Sequence, residues 1–320
     1  MWRVVGVVLL LAVLVVPARA AGEEAEAEKP MPPPLPLHTV EGSGGVLTTD
    51  MAYLCNMMDC CVRAERRGEE CDRWFSNPSV AATALFFGDK YDQVYTISGV
   101  LLHRIELSYA YHRMNLGGWP TAVQRATGLK VSEHDVGLHI LGARLNLVRE
   151  GQGDIPWMPA VTVGARYKYN EDVWDIDDDL FGLPRLLGVT NNEGVDFTVT
   201  ASKTFAGILP KPFILSAGLR STEAAHIGLM GFTDSREVVF EGNAVFFVTD
   251  RLLLATEFRQ KPDNLGRVPG LVGKEDNWWA VCLAYILSDN LTVAFGYTQL
   301  GEVMNNTENS GWGVQLKWEF

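Results

Sequence analysis

The sequence predicts an all-β fold, an antiparallel transmembrane β-barrel of about 12 strands with a short periplasmic N-terminal segment. The first observation is that Trp312, Val314, Leu316, Trp318 and Phe320 alternate with small, polar or charged residues over the last ten positions. Because successive side chains of a strand point to opposite faces, this pattern indicates a strand with one apolar and one polar face.

The second observation is that the same alternation recurs along the chain from residue 79 onwards. Each segment is close to the roughly 9–11 residues that a tilted membrane strand needs. In the fourth segment the apolar phase changes near Leu141, which predicts a β-bulge there. The predicted strands are residues 80–88, 93–102, 104–113, 133–148, 160–169, 195–205, 213–221, 237–247, 252–260, 277–286, 291–299 and 311–320.

The third observation is the length of the connections, counted backwards from a C-terminus in the periplasm. The outer connections 115–132, 170–194, 222–236, 262–276 and 302–310 are long. The inner connections at 103, 149–157, 206–211, 248–251 and 287–290 are shorter, and the first outer turn, 89–92, is the one exception. Short periplasmic turns and long outer loops are typical of outer-membrane barrels.

The first 20 residues have the pattern of a secretory signal peptide. Arg3 provides the positive start, residues 4–16 are apolar, and Ala18-Arg19-Ala20 fits the small-x-small cleavage pattern. The apolar run is too short for a comfortable transmembrane helix. We therefore expect signal-peptide cleavage and location in the outer membrane of a Gram-negative bacterium.

Residues 21–40 are acidic and then proline-rich, which predicts a disordered tether. Residues 41–78 form a cysteine-rich N-terminal segment or plug, in which 41–54 is either a strand or a plug-like stretch, and residues 79–320 form the barrel. Cys55, Cys60, Cys61 and Cys71 are expected to form disulfides in an oxidising compartment, with metal binding as the alternative. Cys282 is expected to stay unpaired.

The net charge of −12 argues against nucleic-acid binding, and no cofactor site is predicted. Ser108 with His112 is the one arrangement that could serve a hydrolase, although both are expected to be ordinary lumen residues. The acidic loop 171–179 could bind Ca²⁺, but it lacks an EF-hand pattern, and a solvated loop is the preferred interpretation. No metal site is predicted.

Charged residues share the polar phase of the strands, so they are expected to line the lumen, because a charge facing lipid costs about 2–4 kcal/mol at the midplane. They form either a charged aqueous pore or a salt-bridged filling. The predicted lumen-lining set is Arg104, Glu106, His112, Arg144, Arg166, Lys168, Arg220, Glu241, Glu257, Arg259, Lys261, Lys317 and Glu319.

Inward-facing cations end the strands that run outward, and acids begin the strands that return. Because the end of one strand lies beside the start of the next in a hairpin, opposite charges should meet near the outer mouth. Arg166 or Lys168 is expected near Asp196, and Arg259 or Lys261 near Glu275 or Asp276. The further predicted cations are His112 and Arg220, and the further predicted acids are Asp135 and Glu237.

From about residue 41 to the end, the chain resembles an uncharacterised family, a domain of unknown function, of Gram-negative outer-membrane β-barrel proteins. The resembling stretches are 44–53 (GGVLTTDMAY), 105–109 (IELSY), 155–168 (IPWMPAVTVGARYK), 194–203 (GVDFTVTASK), 217–220, 228–232, 257–264 (EFRQKPDN) and 275–279 (EDNWW). The cysteine-rich stretch 55–71 departs from the family pattern. The terminal Phe320 resembles the C-terminal aromatic residue by which the barrel assembly machinery recognises such proteins.

These features support three functional hypotheses for a barrel in outer-membrane lipid that is not expected to be an enzyme. The first is a channel or an export-related barrel for small polar solutes or a secreted polymer. The second is a structural or surface-interaction barrel with a filled lumen. The third hypothesis, an outer-membrane lipid hydrolase, has the least support from the sequence.

Overall fold

The protein is a closed antiparallel β-barrel, seen in a computed structural model that describes residues 37–55, 74–288, 290–305 and 309–320. Within those ranges twelve strands form the barrel, each pairing with its neighbours in sequence, and the last strand pairs with the first. The predicted fold class is confirmed. The strands are β3 (Ser79–Phe87), β4 (Lys90–Leu101), β5 (Ile105–Asn115), β6 (Asp135–Val148), β7 (Ala160–Asn170), β8 (Glu193–Phe205), β9 (Phe213–Ala224), β10 (Phe232–Phe247), β11 (Leu252–Arg259), β12 (Trp278–Ser288), β13 (Leu291–Gln299) and β14 (Ser310–Glu319).

The outer surface of the barrel is an apolar belt. Along the strands buried and exposed residues alternate, and the exposed ones are mostly large and apolar. A soluble protein rarely exposes a continuous apolar surface of this kind, so the belt faces lipid. Its exposed members on the strands include Tyr95, Ile97, Leu107, Leu141, Leu145, Tyr167, Phe197, Val199, Leu215, Leu219, Phe240, Leu254, Phe258, Trp279, Val281, Leu283, Tyr285, Phe295 and Trp312.

Aromatic side chains border the belt near both ends of the barrel. Tyr297 and Trp312 are in edge-on contact at the end with the long loops. Phe205 and Phe213 stack at the end with the short turns, where the chain also terminates. Such girdles mark the two membrane interfaces of outer-membrane barrels. We call these the long-loop end and the short-turn end.

The β-bulge predicted near Leu141 is wrong. β6 pairs with β5 in one unbroken register from Ile105↔Leu145 to Asn115↔Asp135, and its register shift against β7 lies between Asn146 and Val148. Val136, Leu138 and Ile140 keep the inward phase although they are apolar. They do so because the interior at the long-loop end is apolar.

That apolar interior is formed by the long loops, which fold back over the barrel mouth. They contain helices α1 (Trp119–Thr127), α2 (Val173–Asp179) and α3 (Leu183–Leu186), and a 3₁₀ helix (Ala225–Gly228). A further 3₁₀ helix (Gln152–Asp154) lies in a short-turn connection. The indole N–H of Trp119 donates to the carbonyl of Leu271 at 2.9 Å and so joins two of the loops. We call these folded-over loops the cap.

Several predicted boundaries shift at the long-loop end. β9 extends to Ala224 and β10 begins at Phe232, so the predicted loop 222–236 shrinks to 225–231. β4 begins at Lys90, so the first outer turn is shorter than predicted. In the described parts of the chain, no helix is long and apolar enough to cross a membrane.

Residues 37–55 lie inside the barrel and are almost completely buried. They contain the two-residue strands β1 (Leu37–His38) and β2 (Gly44–Gly45), which pair with each other. Glycine is needed in this tight path, because Gly42 has a φ of 90° and a Cβ at Gly45 would lie 2.2 Å from the carbonyl oxygen of Thr49. We call residues 37–55 the plug; its first four residues were assigned to the predicted tether, but they are buried here.

Candidate functional site

The plug is a loop that enters the lumen from the short-turn end. Its first residues lie there, because the imidazole of His38 is 2.6 Å from the hydroxyl of Ser79 at the start of β3. Its last residue lies there too, because the amide of Cys55 donates at 2.5 Å to Glu106, near the start of β5. The middle of the plug reaches the cap, where Val40 and Leu47 join the apolar core.

Glu41 is the first of two plug carboxylates that are buried among cations of the barrel wall. It lies 3.0 Å from Arg220 and 2.9 Å from Arg259, and it is also paired with Lys168. These cations come from β9, β11 and β7, so one carboxylate joins three strands of the wall to the plug.

Asp50 is the second plug carboxylate. It lies 2.5 Å from Arg166, 3.8 Å from Arg220 and 3.9 Å from Arg144. Arg220 therefore contacts both plug carboxylates and two wall acids besides. The plug thus supplies acids to wall cations that come from β6, β7, β9 and β11.

Wall acids bind the amide groups of the plug. Glu257 accepts from the backbone amides of Thr48 and Thr49, each at 3.0 Å. Glu106 accepts from Gly44 at 3.2 Å as well as from Cys55. An irregular buried segment cannot satisfy its own main-chain groups, so the wall does this for it.

Wall donors bind the carbonyl groups of the plug. Arg144 donates to the carbonyls of Gly44, Met51 and Tyr53 at 2.9–3.0 Å. Gln315 donates to the carbonyl of His38 at 2.6 Å. The lumen thus holds this segment by its backbone as well as by its charges.

The barrel wall around the plug shifts the pKa values of the plug's titratable side chains. Burial alone would raise the pKa of Glu41, but Arg220, Arg259 and Lys168 outweigh it and hold the pKa well below its ordinary value. Asp50 behaves in the same way beside Arg166 and Arg144, and its pKa is also lowered. Burial lowers the pKa of His38, which favours a neutral ring. The docked plug therefore carries two ionised carboxylates.

Of the predicted lumen-lining residues, twelve are buried on the inner side of the wall. The exception is Arg104, which lies in the turn before β5, is only partly buried, and donates to the carbonyls of Asn146 and Leu147. The twelve are Glu106, His112, Arg144, Arg166, Lys168, Arg220, Glu241, Glu257, Arg259, Lys261, Lys317 and Glu319.

The two charge pairs predicted across hairpins are present. Lys168 lies 2.7 Å from Asp196, and Lys261 lies 2.8 Å from Glu275. Two of the other predicted acids do not pair with the cation that was expected across their hairpin. Asp135 pairs with the exposed Arg113 instead of His112, and Arg220 pairs with Glu241 at 2.9 Å instead of Glu237.

Sequence reasoning missed the importance of Glu41 and Asp50. Their only signal is that they are the two acids of the stretch EGSGGVLTTD, which has no strand period. It also missed Asp92, which lies 2.7 Å from Nδ1 of His112.

The hydrolase arrangement of Ser108 and His112 is not formed. Both ring nitrogens of His112 are already occupied, by Asp92 and by the carbonyl of Val40 at 2.8 Å. The ring therefore has no nitrogen left to activate a serine. His112 instead joins the wall to the plug.

The prediction of a disulfide at Cys55 is wrong. Cys55 is a free, buried thiol whose pKa is raised by burial and by the nearby Glu106. Cys60, Cys61 and Cys71 lie outside the described residues. Cys282, as expected, is unpaired and faces the interior.

The acidic loop 171–179 uses its carboxylates for separate contacts. Asp172 accepts from the amide of Gly137 at 2.6 Å, Asp177 pairs with Arg185 at 3.2 Å, and Asp179 accepts from the amide of Ser132 at 2.6 Å. In the part of the chain that the structure describes, no three His, Cys, Asp or Glu side chains are grouped so as to hold a metal ion.

The family model described as "Protein of unknown function (DUF3034)" matches residues 72–317. The chain belongs to this family. The match begins after the plug and covers all twelve strands of the barrel except the last two residues of β14. No curated protein matches the chain.

Solved structures resemble this DUF3034 protein at low sequence identity. The KdgM porin is 10% identical, with a TM-score of 0.44 over 76% of this chain and 99% of that chain. Acinetobacter baumannii outer membrane protein Omp33 is 9% identical, with a TM-score of 0.42 over 77% and 99%. The NanC porin is 12% identical, with a TM-score of 0.42 over 76% and 98%. At these values the likeness concerns the barrel fold alone.

Proposed function

We propose that this protein is an outer-membrane channel for small polar solutes that is closed by its own N-terminal plug. The observation that carries the proposal is the path of the plug, whose two ends both lie at the short-turn end of the lumen. A loop inserted in this way can withdraw without threading through the barrel. Its departure would leave a lumen lined by charged side chains, which suits water and polar solutes.

Departure of the plug also affects the cap, because the two share one apolar core. Val40 and Leu47 of the plug pack in the same cluster as Met114, Trp278 and Leu300. When the plug leaves, the cap loses part of the surface on which it rests. We therefore expect the lumen to open at both ends together.

The proposal includes location in the outer membrane after cleavage of the signal peptide, with Phe320 as the residue that the assembly machinery recognises. The apolar belt supports the membrane location, and Phe320, which is 61% exposed just after β14, is accessible for recognition. The test therefore begins with folded full-length protein, isolated from the outer-membrane fraction and identified by its heat-dependent mobility on gels.

The test compares channel currents in planar bilayers for the wild type and for Glu41→Gln/Asp50→Asn. Breaking a buried ion pair by removing one partner costs about 3–5 kcal/mol, so the double variant should release the plug. We expect the wild type to be mostly closed and the variant to be open at least about tenfold more often. Labelling of Cys55 by a maleimide, located by mass spectrometry, reports plug release independently of current.

Glu241→Gln is the matched control. It also removes a buried carboxylate from Arg220, but that carboxylate belongs to the wall. The control should stay closed and keep Cys55 protected. If the double variant folds and exposes Cys55 yet passes no more current than the wild type, the barrel is not a channel.

The second candidate function is a structural or surface-interaction barrel whose lumen is permanently filled. The observation that favours it is the number of plug main-chain groups that the wall satisfies, including those bound by Glu106, Glu257 and Arg144. On this hypothesis Cys55 would stay protected in the folded double variant, and no current would appear.

A further inference from the structure

We infer that the lumen contains a binding site for small solutes with two carboxylate groups, and that Glu41 and Asp50 occupy this site in the closed barrel. The inference rests on the proposed function and deepens it by naming a class of solute. It depends on how the wall cations are paired with and without the plug.

Arg166 and Arg259 are the decisive cations. Both are buried, and among the described residues the one acid paired with Arg166 is Asp50, while the one acid paired with Arg259 is Glu41. Both acids belong to the plug. A buried guanidinium without an anion is costly, so plug release would leave two strong sites for anions.

The other wall cations are paired with acids of the wall, so they do not depend on the plug for a negative partner. Lys168 pairs with Asp196, Arg220 with Asp196 and Glu241, and Arg144 with Glu106. Glu257 bonds only to plug groups in the described chain and lies two residues from Arg259 on the same face of β11. The negative charge of Glu257 can partly neutralise Arg259 in the open barrel. We therefore expect a bound anion to be held mainly by Arg166.

Arg166 and Arg259 also have N–H groups that make no hydrogen bond to the described residues. Nε and Nη1 of Arg166 and Nε of Arg259 are buried and have no hydrogen-bond partner among the described residues. A guanidinium can bind a carboxylate through two parallel hydrogen bonds, whereas Asp50 contacts only Nη2 of Arg166. A free solute can take up these unused donors more fully than a side chain fixed in the plug.

The spacing of the two plug carboxylates indicates the size of the solute. One guanidinium bridges them, because Arg220 lies 3.0 Å from Glu41 and 3.8 Å from Asp50. Two carboxylates that share one arginine are close enough to be joined by a short carbon chain. The site therefore fits a small dicarboxylate better than a monocarboxylate.

The test measures binding of succinate and acetate to folded full-length Glu41→Gln/Asp50→Asn by equilibrium dialysis in low salt. We expect succinate to bind at least about tenfold more tightly than acetate, because it engages a second cation. Adding Arg166→Gln should weaken succinate binding by at least about tenfold, and adding Arg259→Gln should weaken it less.

Arg104→Gln, in the same background, is the matched control. Arg104 donates to backbone carbonyls at the short-turn end, so its loss should leave succinate binding unchanged. Equal binding of succinate and acetate, no binding of either, or succinate binding that ignores Arg166→Gln would each overturn the inference.

The binding and current measurements separate the two proposals. If the double variant conducts but does not prefer succinate, the channel stands and the dicarboxylate site is wrong. If it binds succinate through Arg166 but carries no current, the site stands and the channel is wrong. In a conducting variant, succinate bound to Arg166 should also reduce the chloride current.

Discussion

The lumen is closed at two depths by two different kinds of interaction. In the middle of the barrel, Glu41 and Asp50 of the plug are held by buried cations of the wall. Above them, apolar residues of the cap such as Trp119 close the mouth by packing in one core with Leu138 and Ile140 of β6. Both regions are buried, but they are stabilised in different ways.

The difference concerns how each region can be opened. The ion-paired layer depends on a few directional contacts, so one proton or one competing anion can remove a contact completely. The cap depends on the apolar area that it removes from water, at about 25 cal/mol per Å², and no single titration changes that. The middle layer is therefore the region suited to respond to solutes, and the cap follows because it packs on the plug.

The largest effect should come from acid, which breaks the ion-paired layer and spares apolar contacts. Because the pKa values of Glu41 and Asp50 are lowered on docking, both carboxylates stabilise the docked plug above their undocked pKa of about 4. That stabilisation is lost as the pH falls through the lower, docked values. The cations around these carboxylates are Arg144, Arg166, Lys168, Arg220 and Arg259. The wall acids that share these cations are Glu106, Asp196 and Glu241.

Docking also keeps the ring of His38 neutral, so this group weakens the docked plug as the pH falls below its undocked pKa of about 6.5. The carboxylates are therefore tested in His38→Gln, for which we expect a docked plug from pH 7 down to about 4 and release at lower pH. Deuterium uptake by residues 37–55, read by mass spectrometry and corrected for the intrinsic exchange rate at each pH, measures release in folded protein. His38→Gln/Glu41→Gln/Asp50→Asn is the control, and its corrected uptake should depend little on pH. Complete uptake by His38→Gln at about pH 5 would mean that the cations do not hold these carboxylates ionised.

The next effect should come from Leu138→Ala, which damages the apolar wall surface on which the cap packs and leaves the plug charges untouched. Leu138 is completely buried, and truncation of such a leucine costs about 2–5 kcal/mol. We expect a lower unfolding temperature, a protected Cys55, and no current from the single variant. In the Glu41→Gln/Asp50→Asn background the same change should raise the current further.

Leu107→Ala is the matched control, because Leu107 is 43% exposed on the lipid-facing side of β5. It should have a smaller effect on unfolding and none on current. If Leu138→Ala alone released Cys55, the cap and not the ion pairs would be holding the plug.

The charged wall could be predicted from the sequence because strands have a period of two residues. The same period, together with hairpin geometry, predicted the contacts of Lys168 with Asp196 and of Lys261 with Glu275. The inward apolar residues of β6 were misread, because an apolar side chain is compatible with either lipid or a buried cap. Only the loops above them decide between these environments.

The plug could not be placed from the sequence. Its residues have no strand or helix period, and their partners are distant, with Glu41 and Arg259 separated by 218 positions. Neither local propensity nor hairpin geometry reports a contact of that kind. For this Gly-rich stretch with two acids, the sequence left a strand and a plug-like segment as alternatives.

The smallest expected effect comes from an ion pair at the rim, which shows that burial and not distance sets the strength of the plug contacts. Arg236 and Glu223 are 3.0 Å apart, as close as Glu41 and Arg220, but about a third of each side chain is exposed. Water and salt screen such a pair, so it contributes about 0.2–1 kcal/mol.

Glu223→Gln should therefore lower the unfolding temperature only slightly, and not at all in high salt. Asp50→Asn should cause a larger loss that salt changes little, because Arg166 stays buried without an acid. Unfolding of both variants, followed by heat-dependent gel mobility in low and high salt, measures the difference. Equal losses for the two variants would mean that the plug charges are as well hydrated as the rim, and the lumen would then be open to water beside the plug.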